Sequence, residues 1–357
     1  METLKVAVVG GGFISSNRHL PAWRSLGKKV ELVGLSDLNR EMGLKVGEQF
    51  RIKHVYSDAA EMIVKEKPDV VDICTPPATH AKLALLAMEN GCHMMIEKPM
   101  ALTNSDCDAI VAGAKQHKVK VCVGHTGLFY EPFIRGRKLV ERGAIGKFQG
   151  MRVVISTPTD YMTSNQNHWA HKLPGGAIGE TGPHAVYMSL AFMSRVQKVT
   201  VDGLKQLPQY PWSQYEDYRI NLIGDTGISS IHVNYASNQW MSWVEIAGST
   251  GTLILDLHGR VVTRLNRSAL TVPAFAVSVL GQSAQILKEA GLTTFKLITR
   301  QEASTHENLI RGFANSLLNA TPVPVTAEEG REAVRVMGLI ADQLGRNTSA
   351  QSARAAG

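Results

Sequence analysis

No stretch of the chain approaches the ~20 consecutive apolar residues that a membrane-spanning helix needs, so nothing in it reads as a span. There is no basic arm and no arginine-rich helix. The 38 Lys and Arg are spread along all 357 residues, and a net charge of +7 distributed that way fits an anionic small ligand better than a nucleic acid duplex. Cysteine is scarce: Cys74, Cys92, Cys107 and Cys122 match no zinc or redox spacing, and each sits in or beside an apolar element. They read as reduced, buried thiols, and no metal site is expected. No internal repeat is visible. The run Leu4-Lys5-Val6-Ala7-Val8-Val9 begins with none of a signal peptide's basic region or cleavage site ahead of it, so a cytoplasmic protein is expected.

What is present is ordinary globular composition, 44% hydrophobic and 19% charged, with length enough for two cores. As far as about Gly124, short apolar strands alternate with helical patterns. Strands are predicted over 5–9, 30–36, 70–74, 93–96 and 119–123, with helices over 40–50, 59–65, 79–90 and 105–117. That alternation implies a parallel sheet with helices on both faces. Beyond Gly124 come a helix over 133–142, a strand over 148–156, a polar loop over 157–176 and a helix over 183–193. Six strands then follow between Val199 and Leu265, with Gly224-Asp225-Thr226-Gly227 and Gly248-Ser249-Thr250-Gly251 as hairpin turns. Helices over 307–319 and 328–344 close the chain. The expected fold is an α/β Rossmann domain over 1–124 and an α+β domain over 125–345 with a large, mainly antiparallel open sheet. A disordered tail is expected over 346–357.

Gly10, Gly12 and Ser15 occupy the three small positions of a dinucleotide fingerprint directly after an apolar strand. The first permits the tight turn, the second lets backbone approach a pyrophosphate, and the third allows close helix–strand packing. Phe13 and Ile14 complete the turn, whose helix start offers N–H groups to the anion. Asp37 ends the second strand, where a carboxylate accepts from ribose hydroxyls and repels a 2′-phosphate, favouring NAD. Arg40, three residues on, keeps NADP open. Glu97-Lys98-Pro99 ends a later apolar strand, which aims the lysine and then stops.

With the glycine turn, Thr75-Pro76-Pro77-Ala78-Thr79-His80 and Glu97-Lys98-Pro99 in order, the chain resembles the Gfo/Idh/MocA family of glucose–fructose oxidoreductase, inositol dehydrogenase and rhizopine-catabolism proteins. Gly175-Gly176 followed by Glu180-Thr181-Gly182-Pro183-His184 looks like the family's second-domain signature. The resemblance implies that Thr75, Pro76 and Pro77 form a loop against the cofactor and that His80 stands beside it. It also implies that Glu97 lies near the nicotinamide ribose and that Lys98, often followed by a cis bond in relatives, projects towards the reacting carbon. Lys98, the signature acid and the histidine line the substrate side of the nicotinamide in family members. Pairing as a homodimer or homotetramer through the second-domain sheet is implied as well.

Oxidising an alcohol needs a base for the hydroxyl proton while hydride leaves carbon. Either Lys98 or His184 can serve. A histidine has its ordinary pKa near working pH, whereas a lysine needs burial or a nearby cation. The assignment made is His184 as acid/base, Lys98 as its partner in polarisation, and Glu180 as a third catalytic group. Two departures from the family stand out: Glu180 replaces the usual Asp, and Tyr187 takes the place of an Asp three residues after the histidine. His125 stands where relatives often carry other residues, and either faces the site or packs between domains. The loop Asn165–Lys172 offers His168, Trp169 and Lys172 to a polyhydroxylated ring, or serves as polar surface. The leading reading is a dehydrogenase of a sugar, sugar derivative or cyclitol. An NAD-dependent glycosidase with transient oxidation and a non-catalytic NAD(H)-binding regulator are the alternatives.

Overall fold

The computed structural model describes residues 3–193, 195–267, 269–299 and 303–355. The chain divides into two compact units, Met1–Phe129 with Ala303–Arg335 and Tyr130–Glu302 with Val336–Gly357.

In the first unit, β1 (Leu4–Val9), β2 (Val30–Ser36), β3 (Val55–Tyr56), β4 (Val70–Ile73), β5 (His93–Ile96) and β6 (Val121–Val123) form one parallel sheet in the order β3-β2-β1-β4-β5-β6. Every residue of β4 is buried, Asp72 with its three apolar neighbours, as in a strand covered on both faces. The strand order reverses between β1 and β4, which opens a crevice beyond their carboxyl ends. β3 was not predicted, because two residues are too few to show a period. Helices α1 (Leu20–Arg24), α2 (Arg40–Gln49), α3 (Ala59–Glu66), α4 (His80–Glu89) and α5 (Asn104–His117) connect the strands, and the last four lie within one residue of expectation at each end. Asn39, Asp58 and Thr103 accept hydrogen bonds from backbone N–H groups at the starts of α2, α3 and α5, as N-caps do. α1 is preceded by a π-helical turn, Ser15–His19, which the sequence did not reveal.

The second unit contains α6 (Glu131–Glu141), β7 (Phe148–Pro158), α7 (Ile178–Leu190), β8 (Val196–Leu204), β9 (Asp217–Gly224), β10 (Gly227–Ser237), β11 (Met241–Gly248), β12 (Gly251–Asp256), β13 (Val261–Leu265) and α8 (Val272–Ile298). The sheet runs β13-β12-β11-β7-β10-β9-β8 and is antiparallel except between β7 and β10. Ser229, Ile231, Val233 and Tyr235 alternate inward along β10, giving the period of a sheet buried on one face. The Tyr235 hydroxyl donates to Ala177 O at 3.1 Å, and the Ser189 and Ser229 hydroxyls meet at 2.7 Å, which ties α7 to that face.

Two elements here differ from expectation. α7 starts at Ile178 rather than Pro183 and carries Pro183 inside it, because Ile178, Thr181, Val186 and Tyr187 gain burial that outweighs one lost helical hydrogen bond. α8 was not anticipated. Val277, Leu280 and Leu287 are 72%, 70% and 74% exposed, so its apolar residues do not form the single buried stripe that marks a helix in sequence. It is anchored by Glu289, which accepts from Arg135 at 2.5 and 2.7 Å.

α9 (Thr305–Leu318) returns to the first unit, which a single boundary at 124/125 does not capture. Leu309, Ile310 and Phe313 are fully buried, and the Lys120 ammonium donates to Ser316 O at 2.8 Å and Thr321 O at 2.6 Å. α10 (Ala327–Ala355) continues as helix through 346–355, the segment expected to be a disordered tail; residues 356–357 lie outside the described residues. Since Phe313 is a fully buried side chain of the nucleotide-binding unit, Phe313→Ala should destabilise that unit by about 3–5 kcal/mol, read by urea unfolding. A loss confined to the second unit would contradict the division.

Candidate functional site

The crevice of the first unit is built for a dinucleotide. Gly10 has φ +98°, and a Cβ there would lie 2.8 Å from Cys74 O, so only glycine fits the turn. A Cβ on Gly12 would meet nothing within 4 Å, leaving open space in front of the backbone where a pyrophosphate is expected. Ser15 is fully buried, as its small-residue position requires, Ile14 is half-buried and Phe13 is exposed. Asp37 joins two turns: Oδ2 accepts from Gly11 N and Oδ1 from Asn39 N, both at 2.7 Å. A groove of 480 Å³ is lined by Gly10, Gly12, Asp37, Leu38, Thr75, Pro76 and Lys82. Arg40 is exposed and does not line it. Lys82 does, in the first turn of α4, and it belongs to no motif in the sequence.

The loop after β4 is pinned to the end of β5 by His80. Its Nε2 lies 2.8 Å from Thr75 O and its Nδ1 3.0 Å from Pro99 O. Burial holds its pKa below the usual histidine value despite those carbonyls. His80, expected beside the cofactor, thus spends its ring on backbone. Thr79 Oγ1 donates to Thr75 Oγ1 at 2.7 Å, and Pro77 opens a 3-10 turn in the same loop.

Glu97 and Lys98 follow β5, and the Lys98–Pro99 peptide is cis. Glu97 is buried, with Oε2 accepting from Lys98 N at 2.9 Å and Oε1 2.8 Å from His19 Nε2. His19 is fully buried at the end of the π-helical turn; its Nδ1 lies 3.0 Å from both oxygens of Asp72 in β4. Trp23 Nε1 donates to Asp72 Oδ2 at 2.7 Å. His306 on α9 places Nε2 4.0 Å from Glu97 Oε1 and its ring centroid 5.5 Å from that of His19. Burial alone would raise Glu97, but the hydrogen bond and charge of His19, with Lys98, draw its pKa down to about 2. Burial opposes charge on His19 as well, yet the Asp72 carboxylate outweighs it and holds the pKa well above the usual value. Burial, with the charge of His19, pushes His306 down to about 4, and burial, with Lys98, pushes His125 down to about 3. His125 is 3% exposed and neutral near neutral pH. Sequence reasoning missed His19, Trp23, Asp72 and His306, none of which belongs to a spaced motif.

In the second unit Glu180 and His184 share a face of α7 at i, i+4 spacing. His184 is half-buried, and its Nδ1 lies 2.5 Å from the hydroxyl of Tyr187, which is 2% exposed. Tyr187, three residues after the histidine, thereby holds the imidazole through a neutral hydroxyl. His168 and Trp169 stack with centroids 5.8 Å apart, Trp169 being about half exposed, and Lys172 is exposed beyond them. Burial lowers the pKa of His168, with His171 adding to it.

A doubly wound parallel sheet, a glycine turn after its first strand and an acid after its second define a dinucleotide-binding oxidoreductase domain. The chain belongs to the Gfo/Idh/MocA family: residues 4–125 match the oxidoreductase family's NAD-binding Rossmann fold and residues 133–254 its C-terminal domain. D-apiose dehydrogenase of Paraburkholderia graminis is 30% identical over 283 residues, covering 75% of this chain and 73% of that protein. Myo-inositol 2-dehydrogenase of Thermotoga maritima is 22% identical over 271 residues, covering 71% and 75%. Among solved structures, levoglucosan dehydrogenase in complex with NADH and levoglucosan superposes with a TM-score of 0.79 at 18% identity, over 96% of this chain and 98% of that one.

The buried ion pairs make stability depend on pH. Glu97 has a folded pKa of about 2 against 4.5 when unfolded, so its contribution is present above pH 4.5 and lost as pH falls towards 2. His19 is raised above 6.5, so its contribution is complete below pH 6.5 and lost as pH rises through the folded value. Thermal unfolding of wild type and Glu97→Gln should therefore diverge most near neutral pH and converge as acid protonates Glu97. Parallel curves at all pH values would refute that linkage.

Proposed function

We propose that the protein is an NAD-dependent dehydrogenase of CH–OH groups whose substrate is a sugar, sugar derivative or cyclitol. The strongest support is the nucleotide groove of the first unit, with Asp37 at its ribose end and Lys98 leaving the sheet two strands from the glycine turn. Three of the similar proteins carry polyhydroxylated substrates in their names, which supports that substrate class. Asp37 accepts from ribose hydroxyls and disfavours a 2′-phosphate. Gly10, Gly12, Phe13 and Ile14 would carry the pyrophosphate, Thr75, Pro76 and Pro77 would flank the cofactor, and Glu97, engaged by His19 and Lys98 N, would back the segment that meets the nicotinamide end.

NAD, when bound, supplies the hydride acceptor. His184 takes the hydroxyl proton at Nε2, in the tautomer whose Nδ1–H donates to Tyr187. Lys98 stabilises negative charge on the substrate oxygen as hydride leaves carbon. Glu180 accepts hydrogen bonds from neighbouring hydroxyls, and the paired rings of His168 and Trp169 give a sugar an apolar face to lie against, with Lys172 as a rim donor. His125 supports the Lys98 segment as a neutral residue.

The working unit we propose is a homodimer or homotetramer formed through the second sheet, where Ile228 and Trp243 are about half exposed. A cytoplasmic location is supported by the four buried free thiols.

A panel of sugars, sugar acids and inositols followed by NADH absorbance should give turnover with NAD exceeding that with NADP. Lys98→Ala should lower kcat by about 100-fold or more while NADH binding, read by fluorescence, is retained. Near-normal turnover in that variant would remove Lys98 from the chemistry. Tyr187→Phe should lower kcat by about 10-fold with little change in NADH affinity, since only the orientation of His184 is lost.

A further inference from the structure

We infer that His19 is a permanently charged positioning residue, an imidazolium clamped between Asp72 and Glu97 that fixes Glu97 and, through it, the start of Lys98. The inference rests on the catalytic reading of Lys98, but the clamp itself is a matter of proton inventory. A neutral imidazole has one N–H and one lone pair. Here Nδ1 faces both oxygens of Asp72 at 3.0 Å and Nε2 faces Glu97 Oε1 at 2.8 Å. With a neutral ring, one carboxylate would confront a nitrogen lone pair with no water to relieve it, since His19 and Asp72 are fully buried. Each carboxylate also accepts from a second donor: Asp72 from Trp23 Nε1 and Glu97 from Lys98 N. Both therefore act as acceptors, and the remaining protons belong on the ring.

The surroundings agree element by element. β4 contributes Asp72, and Cys74 follows it, its Sγ donating to Asp72 Oδ1 at 3.6 Å. The segment after β5 contributes Glu97 and Lys98, and α1 contributes Trp23. α9 contributes His306, which stays neutral beside His19, and Arg18 from the π-helical turn adds positive charge near His306. Of the remaining titratable groups that interact with Glu97, burial pushes His125 down to about 3 and lowers His80 as well, so neither competes with His19 for the role of cation beside the carboxylates. Two anions thus share one buried cation, with Lys98 as the second positive charge. The π-helical turn gives the position its meaning, because the widened turn ends on His19, directly downstream of the glycine turn. One side chain therefore links the segment that receives the pyrophosphate to the segment that carries Lys98.

The test uses the full chain labelled with ¹⁵N-histidine. Long-range ¹H–¹⁵N spectra should show one ring that keeps both nitrogens protonated at pH values where an exposed histidine is neutral, a signal absent in His19→Gln. A His19 ring that is neutral near pH 7, or that titrates like a solvent-exposed histidine, would overturn the inference. Should His19→Gln fail to fold, Glu97→Gln supplies the assignment by shifting the same ring. The functional arm compares His19→Gln, Glu97→Gln and the double variant. Each single should lower kcat by about 10- to 100-fold, and the double should be no worse than the weaker single, because the two act as one unit. In His19→Gln the pH profile of kcat should gain an acid limb absent from wild type, as Glu97 loses the charge that keeps it ionised. An unchanged profile with a lowered thermal midpoint alone would mean that His19 only packs. If wild type turns over no substrate, the proposed function fails, while the ring-protonation spectra still decide the clamp.

Discussion

Burying two carboxylates beside one another is the constraint on which the nucleotide-binding unit depends. Asp72 lies within β4 and Glu97 just beyond β5, adjacent parallel strands of the sheet, and both are buried. Removing one partner from a buried ion pair commonly costs about 3–5 kcal/mol, because it strands an uncompensated charge. The fold answers with His19, placed between them by the π-helical turn, and with Trp23 one turn later as a further donor. α9, distant in sequence, then brings His306 against Glu97, while its Leu309 and Phe313 are buried in the same unit. The order of events in the chain, glycine turn, π-helical turn, α1, follows from needing a phosphate-binding backbone and a buried cation within ten residues of each other.

The same constraint explains why the segment after β5 is so well placed. Lys98 N donates to Glu97 Oε2 while the other oxygen is engaged by His19, so each oxygen of the carboxylate has a partner. His80 adds a second tie, joining the loop after β4 to Pro99. In the proposed reaction this fixes the point from which the Lys98 side chain departs, which is a condition for preorganised electrostatic catalysis.

Much of this was legible in the sequence where a local rule coincided with the tertiary need. β1, β2, β4, β5 and β6 are short apolar runs, and α2, α3 and α5 each begin on a residue able to cap them, so period and punctuation agreed. Gly10 and Asp37 were legible because their positions follow directly from strand ends. β3 was not, since its pairing depends on β2 rather than on its own two residues. α8 was not, because its apolar residues point in too many directions to give a stripe. Pro183 reads in sequence as a helix start, five residues after α7 begins; the packing of Ile178 and Thr181 carries the helix through it. His19 and His306 illustrate the harder limit. A lone histidine on a helix has no spacing to read, and its meaning here comes from carboxylates on two strands.

Tyr187 separates two properties that an acid beside a catalytic histidine supplies together. A carboxylate fixes the ring and raises its basicity by stabilising the imidazolium; a phenol fixes the same rotamer and contributes no full charge. With the hydroxyl 2.5 Å from Nδ1, orientation is preserved in this chain. The orienting group and the charged group are thereby divided between two residues of α7: Tyr187 three residues beyond His184, and Glu180 four residues before it on the same face. In the proposed reaction the imidazole is oriented by a neutral hydroxyl, while the alignment of the segment that carries Lys98 rests on the buried carboxylate and imidazolium that hold its backbone.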